Sequence, residues 1–339
     1  MLNKSEYSLT GIVPTEKIEG TINTLSHREA MGLTEDYCDS ELDDLSEEYR
    51  HYITCDTESL ISVAESLSVV FKERFVAGTI LALRGDPRIS VLNPKMLTVD
   101  GGTCVLGLPE KDVDKVYREF RHIGVNRDWI EKESPTYQVT LPTYRLAKYC
   151  VTNQEYRTFL SETGANFIPS SWLFGRFPNE KSNHPVHSVS VSGINNYISW
   201  LNKKTRRNFR LPTEAEWEHA AAGLARYEYP WGNGYQKDHA NTIEAGIMQS
   251  TTVGIFPKGV GPYGHMDLAG NVEEYVSDLY KPYPDGKFIN DDLVEKVGTY
   301  QIARGGSFTR FRDLSRTRRR HGDYGSDIYV MGFRLAESL

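Results

Sequence analysis

Seven arginines stand between Arg304 and Arg320 (Arg304, Arg310, Arg312, Arg316, Arg318, Arg319 and Arg320), with one acid, Asp313, among them, in a 339-residue chain of formal net charge −7. A guanidinium presents its N–H donors as a rigid fork that matches carboxylate, phosphate or sulfate two bonds at a time. So dense a reversal of sign requires a counterpart, either carboxylates of the same chain or an anionic ligand. Phe308, Phe311, Tyr324 and Tyr329 in the same stretch offer flat surfaces for stacking. Which reading holds depends on what the rest of the chain builds around this segment.

Few other residues are spaced for chemistry. Cys38, Cys55, Cys104 and Cys150 lie far apart with no CxxC pair, so they read as buried thiols and not as a zinc cage or a disulfide framework. Histidines four apart share a helix face and can hold a metal together, but His27, His51 and His122 are scattered. No glycine-rich phosphate loop, nucleophile elbow or paired-carboxylate motif stands out. With 39% hydrophobic and 11% aromatic residues the chain can fill a core, as one large domain or two. The absence of an 18-residue apolar run and of an apolar leader predicts a cytoplasmic protein with no membrane contact. A sequence pI near 5.8 disfavours general nucleic-acid binding.

The elements that must position the arginines change character along the chain. Residues 1–90 are expected to be mostly helical. Residues 35–48 hold eight acids, from Glu35 to Glu48, which read as a solvated surface or as a partner for the arginines. From Ser59 to Leu83 apolar residues recur at helical spacing, as two amphipathic helices or one bent one, closed by Gly85-Asp86-Pro87. From about residue 95 short apolar strands and glycine turns take over, at 96–99, 103–107 and 137–141. Thr152 with Glu155, and Thr213 with Glu216, are capping boxes that open two helices, and a third is expected after Ser192. The pattern predicts an α+β domain with long loops over residues 95–339.

Several motifs then occur in order: Tyr149 to Tyr156, His184-Pro185-Val186, Arg210 to Glu218, Tyr229-Pro230-Trp231-Gly232, Tyr263 to Tyr275, Arg304-Gly305-Gly306-Ser307 and Gly332-Phe333-Arg334. Together they resemble the formylglycine-generating enzyme (sulfatase-modifying factor) family, and the helix over 74–88 resembles one that often precedes this domain. The resemblance implies a C-type-lectin-like variant fold, poor in regular structure, with a surface groove. It also implies three possible chemistries. Copper oxidases of the family use two cysteines after the Arg-Gly-Gly-Ser run, but Arg310 and Ser315 stand at the matching positions and no cysteine follows Cys150, so no copper is expected. Sulfoxide synthases hold non-haem iron on an HxxxHxE helix that this chain lacks, which leaves iron open but without a motif.

The third branch keeps the fold as a binding or assembly module, and the chain fits it best. On that reading Ser307, Arg310, Arg312, Ser315, Arg316, Arg318, Arg320 and Tyr324 line a groove for an anionic small molecule, peptide or protein partner, while Arg304 and Arg334 are structural. The alternative is an oxidoreductase acting on a small molecule or carrier-bound substrate. The resemblance further implies one structural calcium, held by Asp267, the carbonyls of Gly270 and Val272, and Glu274. A second family calcium site looks eroded, with Asn241 and Thr242 kept but Gln249-Ser250-Thr251-Thr252 where an aspartate should follow.

Overall fold

A computed structural model describes residues 18, 20, 22–33, 42 and 44–339. Most of the acidic block, from Glu35 through Asp43, and Cys38 lie outside the described residues. Four helices come first: α1 (His27–Ala30), α2 (Ser46–Tyr52), α3 (Thr57–Ala64) and α4 (Phe71–Arg84). The apolar run of 59–83 is thus two helices. The Asp56 carboxylate starts α3 by accepting from the Ser59 amide at 2.8 Å. α4 buries Phe71, Phe75, Val76, Ile80 and Leu81 against α2, α3 and the loop carrying Ile255 and Phe256. Gly85 ends it at φ +89°.

The remainder is the expected α+β arrangement. A four-stranded antiparallel sheet is ordered β1 (Met96–Val99), β4 (Tyr144–Ala147), β9 (Ala336–Ser338), β5 (Phe209–Arg210). β2 (Gly102–Leu106) pairs with β3 (Tyr137–Leu141). In a third sheet β6 (Glu273–Leu279) lies between antiparallel β7 (Gln301–Arg304) and parallel β8 (Met331–Phe333). Short helices α5 (Val113–Phe120), α6 (Arg127–Glu131) and α10 (Asp292–Val297) fill the edges. Both capping boxes form, on α7 (Asn153–Thr163) and α9 (Glu214–Ala222). α8 (Val191–Thr205) is capped by Ser190, slightly ahead of the expected start. Tyr156, Phe159, Tyr197, Trp200 and Phe333 interlock where α7, α8 and β8 meet, and form the centre of the main core.

The helical layer is docked on this body. The Ser182 hydroxyl donates to the Ala82 carbonyl at 2.6 Å, and the Asn183 amide donates to the Gly78 carbonyl at 3.0 Å. Gly78 lies so close to Thr252 that a Cβ there would stand 2.5 Å from its Oγ1. Among the described residues no helix is long and apolar enough to cross a membrane.

Candidate functional site

The arginine segment folds inward. Arg304 reaches Glu214 and Glu218, each at 2.6 Å, and Arg320 closes its fork on the two oxygens of Glu214 at 2.8 and 2.9 Å. Arg316 takes both oxygens of Glu133, and Arg319 lies 3.5 Å from Asp313 and donates to the Arg320 carbonyl at 2.7 Å. All four are buried. The half-buried pair is similarly engaged: Arg312 on Glu244, Arg318 on the Arg226 carbonyl. Three of the seven forks, those of Arg304, Arg316 and Arg320, are thus spent on buried carboxylates contributed by α9 and by the turn after α6, which favours braces over groove contacts at these positions. Glu47 and Glu48 of the acidic block are not among those partners.

The positions matched to the copper cysteines are interior too. Arg310 is buried over the Tyr329 ring, 5.1 Å from its centroid, with one amino group unpartnered. Ser315 is fully buried, with its hydroxyl unpartnered, and Gly306 packs so close that a Cβ there would lie 2.8 Å from that oxygen. Ser307 is buried and bonds Thr309 at 2.9 Å. Tyr324 stacks on Tyr329 beneath the Lys296 ammonium.

The two carboxylates of the expected calcium set already have partners within the chain. Calcium requires carboxylate oxygens free to ligate, but both oxygens of Glu274 accept from Arg334 at 2.6 Å, and one also accepts from the Trp217 indole at 2.9 Å. Asp267 accepts from the Gly254 amide at 2.8 Å, and burial raises its carboxyl to about 6. Glu274, with both oxygens taken, does not fit as a calcium ligand in this arrangement, and the Arg334 guanidinium supplies the positive charge beside it. Among the described residues no three histidine, cysteine, aspartate or glutamate side chains gather to hold a metal, which includes His27, His51 and His122.

A different region is open. A cavity of about 610 Å³ is lined by the irregular segment 171–181, by His187, by Met248, Gln249 and Ser250, and by Phe308, the residue after Ser307. Its wall is aromatic: Trp172 donates its indole N–H to Asn153 at 2.7 Å and meets Phe177 edge-on, while His187 meets Phe308 edge-on. Burial and the nearby Lys181 charge hold the His187 imidazole neutral, lowered to about 4. His184 behind it bonds Ser250 at 3.1 Å. Arg176 and Lys181 also face the cavity, and among the described residues neither side chain makes an ion pair or a hydrogen bond. Glu180 is the one acid in the lining.

The rim is strained. Phe174 and Met248 adopt left-handed backbone at φ +55° and +54°, which costs an L-residue about 1–2 kcal/mol. Phe174 is also 92% exposed. Only Phe308 of this constellation was legible as a candidate from sequence. The missed signal is the run Trp172-Leu173-Phe174-Gly175-Arg176-Phe177, rich in aromatic residues but with neither helical nor strand periodicity.

The model of the sulfatase-modifying factor enzyme 1-like domain matches residues 85–339. The chain belongs to this family, the one its motifs resemble. It is 29% identical over 293 residues to the serine/threonine-protein kinase pkn1 of Chlamydia pneumoniae, covering 80% of this chain and 42% of that protein. Over 247 residues it is 25% identical to the hercynine oxygenase of Mycolicibacterium smegmatis, covering 61% and 56% respectively. The chain thus spans about half the length of these relatives. The solved structure of PvdO from Pseudomonas aeruginosa superposes with a TM-score of 0.57 at 25% identity, over 73% of this chain and 95% of that one.

Proposed function

We propose that this chain is a recognition member of the family, whose cavity takes an extended polypeptide segment bearing an acidic side chain among apolar ones. The observation that carries this reading is Phe174, an aromatic ring 92% exposed on left-handed backbone, beside Arg176 and Lys181, whose side chains make no ion pair among the described residues. Strained, uncompensated residues of this kind concentrate where a ligand supplies the missing contacts. The volume of about 610 Å³ suits an inserted side chain or two with their backbone, and unpaired cations on an aromatic wall complement a carboxylate. The expected anionic partner is retained, but its place moves from the arginine segment to the 171–181 segment.

Fluorescence anisotropy with a labelled octapeptide pool built from Asp, Glu, Leu and Phe tests the proposal at low salt. Binding should saturate and weaken by about tenfold or more in Lys181→Glu and in Phe174→Asn, with unfolding midpoints preserved. Equal binding by both variants, or equal binding of a lysine-based pool, would contradict it. A second reading, an oxidoreductase using iron or another cofactor, draws on the similarity to hercynine oxygenase. Stoichiometric iron in the purified protein with a redox-sensitive absorption band would favour it.

A further inference from the structure

A second cavity, of about 260 Å³, backs onto the first. Its lining includes Ser170, Ser188, Asp323, Ser326, Asp327 and Tyr329. One short hydrogen-bonded rung between two loop segments separates the two: the Ser170 amide donates to the Ser188 carbonyl at 3.1 Å, and the Ser171 hydroxyl donates to the His187 carbonyl at 2.7 Å. Ser171 and His187 line the first cavity, whereas Ser170 and Ser188 line the second. Ser188 is left-handed at φ +55°, so strained backbone marks the shared wall as well as the rim.

The two cavities carry opposite charge. Arg176 and Lys181 face the first; Asp323 and Asp327 face the second. Asp323 accepts from the Gly325 amide at 2.7 Å and from the Tyr275 hydroxyl, so it is largely committed to its own surroundings. Asp327 is exposed, and among the described residues its carboxylate has no ion pair or hydrogen bond. Two carboxylates beside serine hydroxyls suit the donors of an ammonium or guanidinium group. They do not make a metal cage, for no third ligand joins them among the described residues.

We infer that the two cavities form one bipartite groove for a single extended polypeptide, which places an acidic side chain beside Arg176 and Lys181 and a lysine or arginine beside Asp327. This rests on the recognition reading above and adds to it a charge pattern in the partner. An extended chain advances about 3.3 Å per residue, so a few residues suffice to cross a single rung. A small anion would satisfy the first cavity alone and leave the second without a role.

An octapeptide array in four classes (acidic only, basic only, acidic then basic, basic then acidic) tests it against the wild-type chain, Lys181→Glu and Asp327→Lys. One mixed class should bind about tenfold tighter than the acidic-only class. Asp327→Lys should abolish that advantage while acidic-only binding stays the same or tightens, and Lys181→Glu should weaken both. If acidic-only peptides bind as tightly as mixed ones, or if the mixed preference survives Asp327→Lys, the second cavity is no part of the groove and the recognition reading stands without it. If no class binds, both readings fail.

Discussion

Arg316 and Lys181 are both cations, one over an aromatic ring and the other in the lining of a cavity with an aromatic wall, and the chain uses them in opposite ways. Arg316 is 1% exposed, lies over Phe120, and has both amino groups on Glu133. Lys181 is half-buried in a cavity lining, with Glu180 beside it, and its side chain makes no ion pair or hydrogen bond among the described residues. The same contrast holds for the segments around them. Residues 304–320 are charge-dense but almost wholly internal, and their guanidinium forks tie β7 and the following loop to α9 and to the turn after α6. Residues 171–181 are less charged, yet they keep cations and rings available on a strained rim. Availability for a partner is therefore set by burial and pairing, not by how many charges a stretch holds.

The comparison can be broken most forcefully at Arg316. Arg316→Ala leaves Glu133 buried and deprived of its fork, with Arg319 still 3.9 Å away, which should cost about 3–5 kcal/mol in urea unfolding. A loss below about 1 kcal/mol, the range of exposed pairs, would return this arginine to the list of candidate ligand contacts. Next comes the contact of α4 with the segment that follows the cavity lining. Gly78→Val drives a branched side chain into Thr252, close to Ser250 of the cavity lining, and should cost about 1–3 kcal/mol by overpacking while also weakening peptide binding. If binding is untouched in the folded variant, the helical layer does not set the cavity's shape.

A smaller effect is expected from pH. His187 is lowered from 6.5 to about 4, so between those values the unfolded chain binds a proton that the folded chain does not. Stability from this group therefore rises with pH across that window and levels off above it. Asp267, raised to about 6, and Glu155, raised to about 7, act in the opposite direction. The difference between wild type and His187→Gln isolates the histidine: the variant should lack part of the rise between about pH 4 and 6.5. Parallel profiles would show that the imidazole is not held neutral by its surroundings.

How much of this was legible in the sequence follows from the range of each interaction. The capping boxes at Thr152 and Thr213 were readable because their partners stand three residues away, and the strands at 96–99 and 137–141 because apolar and turn residues mark them locally. The family motifs, spread over most of the chain, carried the α+β fold. The role of the arginines was not readable, since Glu214 stands 106 residues from Arg320, Glu133 stands 183 from Arg316, and only the fold brings them together. Glu274 looked like a calcium ligand because its motif position fits one, while Arg334, 60 residues on, takes both of its oxygens. The cavity rim was missed because it lacks periodicity altogether.

Urea unfolding of Arg316→Ala and Phe174→Asn, measured side by side with the wild type, tests the division between brace and rim most directly. Asparagine tolerates left-handed backbone better than phenylalanine, and the exposed ring packs on little, so Phe174→Asn should match or exceed wild-type stability by about 0.5 kcal/mol. Arg316→Ala should fall by about 3–5 kcal/mol. An Arg316 variant as stable as wild type, with a Phe174 variant clearly destabilised, would contradict the account and place the chain's free surface in the arginine segment after all.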